Sequence, residues 1–130
     1  MIPVGINLVL SKNYIPHLSY VESIARKYHA MLLLLSYKPI MEDYENYIDL
    51  SAIRNYALAM VKKGLVVGID SLTCGDCVQS EKLCVISSTG EVYPCSFIRH
   101  SMGNLTKRPI EDIWASRVRR VECPYKHVAA

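Results

Sequence analysis

Five cysteines, Cys74, Cys77, Cys84, Cys95 and Cys123, all fall in the second half of the sequence, and none stands before Cys74. Cys74 and Cys77 form a CxxC pair, a spacing that lets two sulfurs reach one metal centre from a tight turn. Cys95 lies at the end of a predicted hairpin, and Cys123 lies beyond the helix predicted after it. Thiolates offered by a turn, a hairpin and the end of a helix can converge on one point, and soft thiolates select zinc or an iron–sulfur cluster. The competing use is that of small buried hydrophobes. Cys84 fits that use, because it alternates with Ile86 on a predicted strand. Zinc competes on spacing alone: Cys123 and His127 stand at i and i+4, which makes a Cys₃His site conceivable, although His127 lies close to the end of the sequence, where solvent exposure is expected.

The elements that must position these thiols can be read next. Lys82–Ser88 and Glu91–Phe97 read as two strands joined by Thr89-Gly90, the glycine supplying a positive φ. Pro94 sets its strand at an edge or ends it. Gly103-Asn104 reads as a turn. Pro109 opens a helix with Glu111 and Asp112 in its first turn, a side lined by Ile110, Ile113, Trp114 and Val118, and Arg117, Arg119 and Arg120 at its close.

The cysteine-free part alternates strands and helices. Ile2–Leu10 reads as a strand apolar on both faces, followed by the turn Ser11-Lys12-Asn13. Pro16 begins a helix carrying Leu18, Val21, Ile24 and Tyr28, with Arg26 and Lys27 in its last turn. Met31–Ser36 is a second strand. A second helix is predicted from Tyr44 to Lys63, with Glu42, Asp43 and Glu45 at its start and Leu50, Ile53, Ala57, Met60 and Val61 along its buried stripe. Leu65–Ile69 is a third strand. This order predicts parallel pairing with right-handed crossovers. Such a slice is either a small complete α/β domain or the tail of a larger barrel, and periodicity does not decide between them. Its first edge is bare, so a homodimer paired along that edge is one expectation.

Composition narrows the function. Hydrophobic residues make up 51% and charged residues 21%, which is globular and not disordered. Many of the nine tyrosines are expected half-buried, hydroxyl outward. A net charge of +3 is too mild to imply nucleic acid, and Phe97 and Tyr125 are few aromatics to interleave among Arg99, Lys107, Arg108, Arg117, Arg119 and Arg120. The longest strongly apolar run, Ala30–Leu35, is far short of a membrane span, and no secretory signal pattern stands at the start. A cytoplasmic protein with reduced thiols is expected.

Gly90-Glu91-Val92-Tyr93-Pro94-Cys95 resembles the GxVYPC signature of radical S-adenosylmethionine (SAM) enzymes, and more specifically of their C-terminal SPASM or twitch extension. Met102-Gly103-Asn104-Leu105 is similar to that family's GN turn, and Ile110–Ser116 to its helix ending in Trp. The first half resembles the fifth and sixth barrel strands with their loops, including Ser36-Tyr37-Lys38-Pro39-Ile40. The resemblance implies an α/β fold, with residues 1–72 the C-terminal portion of a partial parallel (β/α) barrel and 73–130 a Cys-rich hairpin-plus-helix subdomain. It implies an auxiliary 4Fe–4S cluster on Cys74, Cys77, Cys95 and Cys123, with Cys84 able to replace one of the first two, and a one-cluster, twitch-like form because the sequence ends soon after Cys123. Asn7 resembles a SAM-contacting residue of the fifth strand. Tyr37 and Lys38 stand where a barrel mouth would face substrate, Lys38 otherwise being a solvated loop cation. The family's radical-generating CxxxCxxC is absent, since the gaps between successive cysteines are 3, 7, 11 and 28. The chain is therefore expected to be inactive alone, to need an N-terminal barrel half as partner, and to serve peptide or cofactor-precursor substrates with it. A freestanding electron-transfer module and a zinc-stabilised structural domain are the alternatives.

Overall fold

The computed structural model describes residues 2–39, 44–75, 77, 81–119, 121–123 and 125. They belong to two compact units, one within Met1–Asp76 and the other within Cys77–His127.

The first unit is a three-stranded parallel sheet in the order β1-β2-β3, formed by Gly5–Leu10, Met31–Ser36 and Val67–Ile69. β1 pairs with β2 in the register Gly5 to Met31 through Leu10 to Ser36. The sequence predicts a strand buried on both faces, but β1 is an edge strand whose only buried residue is Leu10. Along β2, Leu32, Leu34 and Ser36 are buried while Met31 is exposed and Leu33 and Leu35 are half-buried. β3 admits only glycine opposite Leu33 with ease, since a Cβ on Gly68 would stand 3.2 Å from Leu33 Cδ1.

The helices pack by their apolar stripes. Pro16 sits inside a 3-10 segment, Lys12–His17, that leads into α1, Leu18–Tyr28. His29 ends α1 in the left-handed region at φ 51. α2 runs Leu50–Lys62, starting later than the acidic cluster suggests. Its N-cap is Asp49, whose Oδ1 accepts from Ser51 N at 2.7 Å, which leaves Tyr44–Tyr47 as a turn. Glu42 and Asp43 lie outside the described residues. Leu50, Ile53, Ala57 and Met60 are buried as expected, whereas Val61 is half exposed. A four-residue helix, α3, follows at Ser71–Cys74 and ends at Gly75, φ 87.

The second unit is built from short pieces. β4 (Val85–Ile86), β5 (Glu91–Tyr93) and β6 (Gly103–Asn104) form an antiparallel sheet in that order. The predicted hairpin is present. Gly90 donates to the Ser87 carbonyl with φ 80, and Ser87 Oγ accepts from Glu91 N at 3.1 Å. Pro94 is fully buried and β5 stops before it. Gly103-Asn104 is a strand rather than the predicted turn, because Met102 N donates to Val92 O at 2.7 Å and holds the segment against β5. α4, Ile110–Ala115, begins after Pro109 and buries Ile113. It is shorter than predicted, so Val118, at 57% exposure, lies beyond it and lines nothing. Arg120 is outside the described residues. Among the described residues, no helix is long and apolar enough to cross a membrane.

Candidate metal centre

All five thiols are free. Cys74 is the last residue of α3 and is exposed, its Sγ 3.9 Å from the Ile69 carbonyl. Cys77, half-buried, opens the second unit. Cys95 follows Pro94 at the start of a turn in which Ile98 N donates to Cys95 O at 3.4 Å and Phe97 N donates to Cys95 Sγ at 3.4 Å. Such N–H···S bonds orient a sulfur and tune thiolate-bound metals. Cys123 is buried. The core role predicted for Cys84 is corrected: it is half-buried, precedes β4 without joining it, and Ile86, with which it alternates, is 50% exposed.

Among the described residues, no three His, Cys, Asp or Glu side chains stand together as a ready metal site. His127 lies outside them. The donor chemistry nonetheless fits a thiolate-bound group: free thiols, one of them already accepting an amide N–H.

A second polar cluster lies at the carboxyl ends of β2 and β3, where parallel α/β sheets bind ligands. Asp70 Oδ2 accepts from Ser36 N (3.0 Å), Ser36 Oγ (2.6 Å) and Lys38 Nζ (3.1 Å), and Oδ1 accepts from Thr73 N (2.9 Å), capping α3. Burial pushes the Asp70 carboxyl up, but the hydrogen bonds from Ser36 and Thr73 outweigh it and hold the group well below the usual carboxylate range. Lys38 is thus not the solvated loop cation expected from sequence, its side chain being only 18% exposed. Sequence reading missed Asp70. The available signal was an Asp after a predicted strand and before Ser-Leu-Thr, an N-cap pattern. Asn7 sits mid-strand on β1, exposed, in register with Leu33.

The basic residues around α4 tie down its ends. Arg117 stacks on Trp114 at 3.9 Å and donates to Glu81 O at 3.2 Å, and Arg108 donates to Asp112 O and Ser116 Oγ, both at 2.9 Å.

Three comparisons bear on this arrangement. Residues 77–127 match the SPASM family, an iron–sulfur cluster-binding domain. Over 47 residues, 36% of this chain, the sequence is 38% identical to the AdoMet-dependent heme synthase of Nitratidesulfovibrio vulgaris strain Hildenborough, a stretch covering 12% of that relative. The fold matches Streptococcus suis SuiB with a TM-score of 0.60 at 12% identity, covering 86% of this chain and 34% of SuiB. The chain thus spans about a third of that structure's length, and the likeness to it is one of fold. The GxVYPC reading agrees with this, for the matched segment contains the hairpin, Cys77, Cys84, Cys95 and Cys123: residues 77–127 match the SPASM iron–sulfur cluster-binding domain, and in that segment the chain resembles radical SAM proteins.

Proposed function

We propose that the chain is the C-terminal part of a radical SAM enzyme that binds an auxiliary 4Fe–4S cluster through Cys74, Cys77, Cys95 and Cys123. The SPASM match over 77–127 carries this reading, since three of the four thiols lie inside it. When bound, such a cluster supplies one-electron transfer, or a site that anchors substrate. The residues of this chain have separable tasks. Pro94 and the 95–98 turn present the Cys95 thiol, and the Phe97 amide donates to its sulfur and orients it. α3, capped by Asp70, presents Cys74. The first unit supplies a slice of the barrel wall, on which Asn7 would touch SAM once the rest of the barrel is in place. That remainder, carrying CxxxCxxC, is the partner the reading requires, and peptides or cofactor precursors are the substrate class. The chain alone generates no radical, because it has no CxxxCxxC.

Anaerobic reconstitution with iron and sulfide tests this. About four irons per chain with thiolate-to-iron charge-transfer absorption is expected, and Cys95→Ser should abolish both. A colourless protein retaining one equivalent of zinc would replace this reading with the structural one. Metal content unchanged by Cys95→Ser would refute the ligand assignment.

A further inference from the structure

Phe97 and Tyr125 each stand at i+2 from a cysteine, Cys95 and Cys123 respectively. Their rings meet edge-to-face, centroids 5.8 Å apart at 86°. We infer that this pair is an aromatic clasp that positions Cys95 and Cys123 for a shared centre and shields that centre from water. The inference rests on the reading of both cysteines as cluster ligands.

The two cysteines bracket a long segment that includes β6 and α4. Closing a loop of that length costs chain entropy, so ligands at its two ends need something that holds the ends together. The ring contact does so. On the Cys95 side, Phe97 is coupled to the sulfur itself, because its amide donates to Cys95 Sγ and the same turn is closed by the Ile98 amide, with Ile98 buried. On the other side, Cys123 is 7% exposed, so the thiol lies within packed protein rather than on a free tail. Phe97 is itself 41% exposed, more than a core phenylalanine would be. An exposed ring on a residue whose amide bonds a thiol fits the apolar shell that limits solvent access to a metal centre and so sets its lability and potential.

The test compares the reconstituted wild-type chain with Phe97→Ala, Phe97→Tyr and Tyr125→Leu. Circular dichroism and melting of the iron-free proteins report the fold. Iron content, the rate of cluster bleaching in air, the EPR spectrum and the midpoint potential report the clasp. Phe97→Ala and Tyr125→Leu should bleach about two- to tenfold faster, the range expected for loss of one edge-to-face pair, with altered EPR lines and a shifted potential. Phe97→Tyr, which keeps the ring, should restore wild-type behaviour. If Phe97→Ala fails to fold, Tyr125→Leu decides the question, because it keeps an apolar side chain and removes only the ring. A loaded wild type with bleaching, EPR and potential indifferent to both ring removals overturns the clasp alone. A wild-type chain that takes up no cluster overturns the ligand reading, and the clasp with it.

Discussion

The two units are stabilised by different means. The first lays two helices of 11 and 13 residues on a parallel sheet, and Leu10, Leu32, Leu34, Ile53 and Met60 are each no more than 1% exposed. Among its described residues the second has strands of two or three residues and one helix of six, and the side chains of Val92, Ile113 and Pro94 are fully buried. What it lacks in aliphatic core it replaces with polar ties. Asn104 Nδ2 donates to Glu91 Oε1 at 2.7 Å, Asn104 Oδ1 accepts from Thr106 N at 2.8 Å, and Gly103 lies so close to Ile113 that a Cβ there would stand 2.9 Å from Ile113 Cγ1. A unit of this size with so small a core is where proteins recruit a metal as a staple. On the proposed ligation, the difference predicts that folding of the second unit depends on the cluster, whereas the sheet and long helices of the first fold without it.

The most direct way to break that comparison is to load and strip the cluster while following each unit. Hydrogen exchange with peptide-level resolution should show protection across 77–127 rising by orders of magnitude on loading, whereas amides of β2 and α2 should change little. Equal protection of the second unit with and without metal would show that its polar ties suffice.

A smaller effect sharpens the other side. Ile53 is completely buried on α2. Ile53→Ala should cost the first unit about 2–5 kcal/mol, read as a drop in the melting temperature of the iron-free chain. A loss under about 1 kcal/mol would mean that the three-stranded slice collapses around the cavity and is less well packed than its burial indicates.

The same contrast decides what was legible in the sequence. In the first unit the apolar period marks its elements directly: Met31–Ser36 and the stripe Leu50, Ile53, Ala57, Met60 emerge as read. The start of α2 was misplaced because Glu45 and its neighbours imitate a helix dipole pattern, while the decisive group is the Asp49 cap. β1 differs from its reading because a run apolar on both faces does not tell a central strand from an edge one. In the second unit periodicity fails for a physical reason. Strands of two residues have no period, so Gly103-Asn104 reads as a turn and Cys84 as core, and the information lies in short signals: the Thr89-Gly90 turn, the motif GEVYPC and Pro109 at the start of α4. The Asp70 cluster escaped because Ser36 and Lys38 are brought to Asp70 by the parallel register and not by spacing along the chain, while Thr73 alone is its local cap partner.

That cluster supplies the smallest effect and a pH signature. Asp70→Asn preserves shape but removes the charge that accepts from Ser36 and Lys38, at 14% exposure of the Asp70 side chain. A stability loss of about 1–3 kcal/mol at neutral pH is expected. The carboxyl is held below its ordinary value in the folded chain, so its contribution is fully present above the unfolded value of about 3.9. It is lost progressively as pH falls below that value toward the folded one. The gap between wild type and Asp70→Asn, followed by urea unfolding of the iron-free chain, should therefore be flat from neutral pH to about 4.5 and narrow below about 3.9. No gap at neutral pH, or a gap that stays constant through that range, would mean that the ionisation of Asp70 does not tie the end of β2 to the helix that presents Cys74.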